Sequence, residues 1–116
     1  MRQIGILCAA ARYALSHHVA RLKDDHAHAQ VFARAVAASP HARVDLERVE
    51  TNIVNVHLPR TVAERASASA KERGLLLNAS GPSTLRAVTH LDVSLNDVER
   101  AAALLVETLH ALESTP

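Results

Sequence analysis

The sequence is short of large apolar side chains. Only Tyr13 and Phe32 are aromatic (2%) and there is no tryptophan, although 48% of its 116 residues are hydrophobic. Alanine, valine and leucine carry most of that share, and small side chains bury less area each than aromatic ones. The composition excludes a disordered or collagen-like chain. It predicts one compact domain with a thin core that needs a neighbouring surface.

The sequence also lacks cationic clusters, cysteine pairs and long apolar runs. Thirteen Lys and Arg balance 12 Asp and Glu, and the only lysines are Lys23 and Lys71. Without a basic run, no nucleic-acid partner is expected. Cys8 has no second cysteine for a disulfide, and the longest apolar run is far below the roughly 20 residues of a membrane helix. We therefore expect a cytoplasmic protein without a membrane partner.

Apolar residues recur at steps of three and four from Arg2 to about Ser39, which predicts helix. Because this run is too long for one typical globular helix, we expect a break near Ser16 to His18. Pro40 ends the second helix, since its ring disfavours helix in the preceding residue.

The rest of the chain predicts a small sheet among helices. The first element is a strand over Asn52 to Leu58, with Asn55 and His57 on its solvent-exposed face. A helix follows, with a capping box at Thr61 and Glu64 and its end at Gly74. Short strands over Leu75 to Asn78 and Leu85 to His90 come next, and then a helix capped by Ser94 and Asp97. The expected fold class is α+β: a short, mainly antiparallel sheet with helices on one face, preceded by long N-terminal helices.

Most chemistry-bearing residues favour a structural interpretation. Eight histidines suggest metal binding, but the spacing is wrong: His26 and His28, for example, point apart on a helix. Cys8 lies in an apolar helical stretch, which indicates packing. The glycines are isolated, so no phosphate loop is expected. These residues alone assemble no reaction.

The segment from Arg86 to Ser94 is the exception, because it places a cation, an imidazole and a carboxylate around the end of one strand. Arg86 shares a face with Val88 and His90. Its planar guanidinium can hold a carboxylate through two parallel hydrogen bonds, as an amino-acid site requires. Sequence physics alone favours the alternative, in which Arg86 pairs with a nearby acid such as Asp92.

Four segments, in this order, carry a resemblance to a known family: Met1 to Leu7, Arg21-Leu22 with Asp25-His26, Thr51 to Val54, and Arg86 to Ser94. Together they resemble the C-terminal third of the low-specificity L-threonine aldolases, over essentially the whole chain.

The resemblance implies the small C-terminal domain of a fold type I pyridoxal-phosphate enzyme. Residues 40–116 would form that α+β domain, and residues 1–39 the helices that pack between domains. The complete enzyme would be a cytoplasmic homotetramer. It would cleave L-threonine or L-allo-threonine to glycine and acetaldehyde, with pyridoxal 5'-phosphate as electron sink.

The resemblance also implies residue roles. Arg86 matches the arginine that binds the substrate carboxylate, and Arg2 matches an arginine near the cofactor. No catalytic residue and no metal ligand is expected in this chain. The Schiff-base lysine, the histidine stacked on the cofactor ring and the acid beside its nitrogen would all lie upstream. Lys23 and Lys71 would be surface lysines, so we expect no covalently bound cofactor and no aldolase activity from this chain alone.

Two other hypotheses stay open on the residues alone. One is a non-enzymatic α+β module that self-associates, or that uses Arg86 to hold an amino acid without a cofactor. An in-frame lysine-bearing segment encoded upstream would favour the aldolase instead. The other is a weak histidine-based metal binder, which would show metal-dependent melting.

Overall fold

A computed structural model describes residues 2–114, as four helices and one three-stranded sheet. The elements are α1 (Ile4–His17), α2 (Leu22–Ala37), β1 (Ile53–His57), α3 (Ala63–Glu72), β2 (Asn78–Gly81), β3 (Thr84–Val88) and α4 (Leu95–Glu113). The strand order is β1-β3-β2, and both neighbouring pairs are antiparallel. This confirms the α+β class predicted from the sequence.

The hydrophobic core lies between one face of the sheet and helices α2, α3 and α4. Its larger members include Phe32, Val36, Val54, Val56, Leu85, Leu105 and Leu109, and all three helices also contribute alanines. Alternation along β1 buries Val54 and Val56 and exposes Asn55 and His57, as predicted. The sheet's other face is open, which is where a site can form.

The predicted break between the first two helices is confirmed. Helix α1 ends at His17, a 3-10 turn spans Val19–Arg21, and α2 starts at Leu22. Helix α2 contributes to the core, but none of the residues of α1, all of which the structure describes, is buried. Cys8 is exposed, so the prediction that it is a packed residue is wrong for this chain. The physical reason is that, among residues 2–114, no strand or other α-helix covers α1.

Helix α1 presents large apolar side chains to water. Ile6 is 74% exposed, Leu15 is 71% exposed, and Leu7 and Tyr13 are more than half exposed. Because such a surface promotes association, we expect the 116-residue chain to form oligomers or aggregates in light scattering. A double substitution Ile6→Lys, Leu15→Glu should shift it towards the monomer. A wild-type chain that stays monomeric at high concentration would contradict this prediction.

The second strand lies further along the chain than predicted. The residues that pair with β3 are Asn78–Gly81, not Leu75 to Asn78, and Leu76 is 77% exposed. A tight turn joins β2 to β3, so the residues next to the turn form the ladder. The expected loop from Ser80 to Ser83 therefore shrinks to its last two residues.

Helix α3 starts without the predicted capping box. Its N-cap position is Val62, which makes no side-chain cap, so Thr61 and Glu64 do not play that role. The backbone N–H of Ala63 instead donates to the carbonyl of Pro82 at 3.0 Å. A tertiary contact thus satisfies a donor that the sequence pattern assigned to a side chain. The predicted end is confirmed, because Gly74 has φ 89°, a conformation that favours glycine.

Helix α4 has the predicted capping box. The Ser94 hydroxyl accepts from the backbone N–H of Asp97 at 3.2 Å, and the Asp97 carboxylate accepts from the backbone N–H of Ser94 at 3.1 Å. The Ser94 hydroxyl also donates to that carboxylate at 2.5 Å. These bonds fix the helix start just after the segment that follows β3.

The Asp97 cap predicts a pH dependence. Hydrogen bonds from the Ser94 side chain and backbone, with Arg100 nearby, lower the pKa of the Asp97 carboxyl. A lowered folded-state pKa contributes stability above the unfolded pKa of about 3.9, and this is lost as pH falls through the folded value. We expect Asp97→Asn to lower the urea midpoint at pH 7, and the difference from wild type to shrink towards about pH 2. An equal difference at both pH values would contradict this assignment.

Candidate functional site

The candidate site lies on the open face of the sheet, where polar side chains from all three strands meet. Arg86 is in the central strand β3, directly opposite Asn55 of β1 and Asn78 of β2 in the ladder. His57 and Thr84 form the next row, with 3.3 Å between the histidine Nδ1 and the threonine hydroxyl. Side chains that share a row point to the same face. These two rows form a polar platform around a guanidinium, and the third row of the face is the apolar pair Ile53 and Val88.

Asn55 holds one side of the Arg86 guanidinium. The Nε–H of Arg86 donates to the Asn55 side-chain oxygen at 3.4 Å, a long hydrogen bond between exposed groups. Within residues 2–114 no carboxylate forms an ion pair with Arg86. The two terminal nitrogens thus keep their paired donors for an external carboxylate or phosphate.

The alternative pairing of Arg86 with Asp92 is wrong. Asp92 instead turns towards His90: its backbone N–H donates to His90 Nδ1 at 3.3 Å, and its carboxylate lies 3.7 Å from the same nitrogen. Strand β3 ends at Val88, so His90 and Asp92 belong to the segment between β3 and α4 and not to the strand. The cation, imidazole and carboxylate of this segment therefore form two separate groups.

The end of β3 is fixed by Thr89, a buried polar residue three positions after Arg86. Its hydroxyl donates to the carbonyl of Asp25 in α2 at 2.6 Å. Its backbone N–H donates to the carbonyl of Asn52 at 2.9 Å, and the Asn52 amide donates back to the Thr89 carbonyl at 2.7 Å. These three bonds tie β3 to α2 and to the residue before β1.

Asp25 is itself held in place by Arg21. The guanidinium donates two hydrogen bonds, of 3.1 and 2.9 Å, to the buried Asp25 carboxylate. Three segments that carry the family resemblance thus meet at Thr89: Arg21 with Asp25, Thr51 to Val54, and Arg86 to Ser94. The sequence analysis used these segments to identify the family, but it did not predict that they contact one another in the fold. Their joint occurrence was the only signal in the sequence, because the contacts join residues far apart in the chain.

The other residues of interest lie apart from this platform. Arg2 is exposed in the turn before α1, and no hydrogen bond or ion pair joins it to Arg86 in the part of the chain that is described. Lys23 and Lys71 are exposed on α2 and α3, as predicted. No helix within residues 2–114 has both the length and the apolarity to cross a bilayer.

The fold is one that occurs within a larger enzyme. A solved structure described as a transaminase with L-ala superposes with a TM-score of 0.73, over 94% of this chain and 27% of the transaminase chain, at 23% sequence identity. The α+β unit described above is therefore a part of the transaminase-type fold. A family model for beta-eliminating lyases matches residues 1–59. The chain belongs to the beta-eliminating lyase family.

Two curated relatives are more similar to this chain in sequence than the transaminase is. The chain is 39% identical over 114 residues to the probable low-specificity L-threonine aldolase 2 of Arabidopsis thaliana, and 41% identical over 103 residues to the low specificity L-threonine aldolase of Escherichia coli K12. These matches cover 96% and 89% of this chain but 32% and 29% of the relatives. The resemblance to threonine aldolases is confirmed, and the chain spans about a third of the length of the relatives.

Proposed function

We propose that this chain provides the substrate-carboxylate half of an L-threonine aldolase. The complete enzyme would cleave L-threonine or L-allo-threonine to glycine and acetaldehyde. The observation that carries the proposal is the position of Arg86: it lies centrally on the open face of the sheet, without an acidic partner among the described residues. The aldolase relatives supply the reaction and the substrate class.

Arg86 binds and orients the substrate in this proposal. A guanidinium that donates two parallel hydrogen bonds to a carboxylate fixes both the position and the rotation of an amino acid. Asn55 occupies the Nε side of Arg86, so the outer edge with the two terminal nitrogens faces the ligand. Orientation matters because the way the carboxylate is held decides which bond to the α-carbon of the substrate is placed to break.

Pyridoxal 5'-phosphate would act in the complete enzyme by accepting the electron pair of the broken carbon–carbon bond. The described residues do not fit a covalent anchor for it, because both lysines are exposed on helix surfaces and neither belongs to the polar platform of the sheet. Arg2 is proposed to lie near the cofactor once the remaining part of the enzyme is present.

The helices of residues 1–39 are proposed to connect this domain to the larger one. Helix α2 shares the core with the sheet, while the apolar side of α1 lacks a covering partner among the described residues. Association of α1 with the large domain or with a second subunit would remove that surface from water. We further propose a cytoplasmic homotetramer, in which the exposed thiol of Cys8 stays reduced.

The proposal predicts that the 116-residue chain alone does not cleave threonine. With pyridoxal phosphate and L-threonine, acetaldehyde release should equal that of the cofactor alone, because no lysine of this chain lies beside Arg86. A chimera is the matched positive control: residues 1–116 replace the matching segment of the E. coli aldolase. We expect the chimera to release acetaldehyde. Turnover by the isolated chain, or a folded but inactive chimera, would contradict the proposal.

A further inference from the structure

Two histidines far apart in the sequence meet beside the end of α4, away from the sheet platform. His41 Nε2 and His110 Nδ1 are 3.2 Å apart, and His41 Nδ1 lies 2.5 Å from the Glu113 carboxylate. His41 lies in the turn after α2, and its side chain is 17% exposed. The two histidines border one cavity, together with Pro40 and Glu107.

Glu113 contacts one nitrogen of the His41 ring, and His110 contacts the other. The carboxylate faces His41 Nδ1, which leaves His41 Nε2 directed towards His110. A carboxylate behind a histidine in this way is the arrangement that orients metal-ligating imidazoles.

The distance between the two nitrogens matches a metal site. In a tetrahedral zinc site with Zn–N bonds of about 2.05 Å, two nitrogens lie about 3.3 Å apart. The 3.2 Å separation in this chain agrees with that edge. A cation bound to both nitrogens would lie off the line that joins them, so each ring must rotate by roughly 35° from its hydrogen-bonded orientation.

We propose that His41 and His110 bind a divalent transition-metal cation such as Zn²⁺. Among residues 2–114 no group of three or more His, Cys, Asp or Glu is placed to hold a metal. Glu107 borders the same cavity, but its carboxylate accepts from Arg73 at 2.8 Å. Water from the open cavity completes the coordination, so the site is weak and exchangeable. The bound ion links the end of α4 to the turn after α2.

The test is calorimetric titration of the chelator-treated 116-residue chain with Zn²⁺. We expect one ion per chain and a melting temperature that rises with Zn²⁺ concentration. The variant His110→Gln keeps a side-chain donor but removes the ring nitrogen, and it should weaken binding at least tenfold. Glu113→Gln should weaken binding by about 10- to 100-fold, because it removes the group that orients His41.

The matched control is His26→Ala, which removes an exposed histidine of α2 and should leave the affinity unchanged. Circular dichroism in chelator checks that each variant is folded, and imidazole NMR signals of His41 and His110 should shift together on Zn²⁺ addition. The proposal is overturned if wild type takes up no Zn²⁺, if folded His110→Gln binds as tightly as wild type, or if His26→Ala loses the site equally.

Discussion

Replacing Arg86 by alanine in the chimera is expected to raise KM for L-threonine by about tenfold to 150-fold. The lost hydrogen bonds to a charged carboxylate account for about 1.5–3 kcal/mol, which converts to that range. Because the guanidinium also sets the rotation of the substrate, kcat should fall as well. Steady-state kinetics of acetaldehyde release measures both parameters.

The control variant is Arg86→Lys, which keeps the charge but loses the planar pair of donors. It should fall between wild type and Arg86→Ala in kcat/KM. Stability should change little in either variant, since Arg86 is exposed and its one hydrogen bond is long. An unchanged KM in folded Arg86→Ala would remove this residue from the site.

The second large effect is a loss of stability, expected at Leu85, which is next to Arg86 but on the opposite face of β3. Leu85 is completely buried, and we expect Leu85→Ala to lower the free energy of unfolding by about 2–5 kcal/mol. The core cluster that contains Leu85 includes many alanines, which are too short to fill the space that the leucine leaves. Urea unfolding of the isolated chain measures the loss.

Arg86→Ala is the matched comparison in that experiment, because it truncates the adjacent residue on the open face. Its free energy of unfolding should stay within about 0.5 kcal/mol of wild type. A loss below about 1 kcal/mol for Leu85→Ala, or equal losses for the two variants, would show that the inner and outer faces of β3 are wrongly assigned.

The sequence predicted those elements whose signals are local. The capping box at Ser94 and Asp97, the stop at Gly74 and the alternation along β1 each lie within a few residues, and each was confirmed. The failed predictions depended on distant partners. Strand β2 is defined by its ladder with β3, and the start of α3 is satisfied by Pro82 rather than by its own side chain.

In the candidate site too, the sequence predicted local features but not contacts between distant residues. Alternation placed Asn55 on a wet face, and Arg86 was singled out by its chemistry, but their pairing depends on a register that only the folded sheet reveals. The role of Thr89 was not predicted, because its partners Asp25 and Asn52 lie 64 and 37 residues away. The thin core predicts that another surface packs on α1, but no residue pattern shows which surface this is.

Arg86 is proposed to bind the carboxylate of an amino acid. The most direct test compares glycine with glycinamide as inhibitors of the chimera, in wild type and in Arg86→Ala. Glycinamide has the same size but no carboxylate charge. We expect the chimera to prefer glycine by at least tenfold and Arg86→Ala to abolish this preference. A preference for glycine that survives in Arg86→Ala would contradict this expectation.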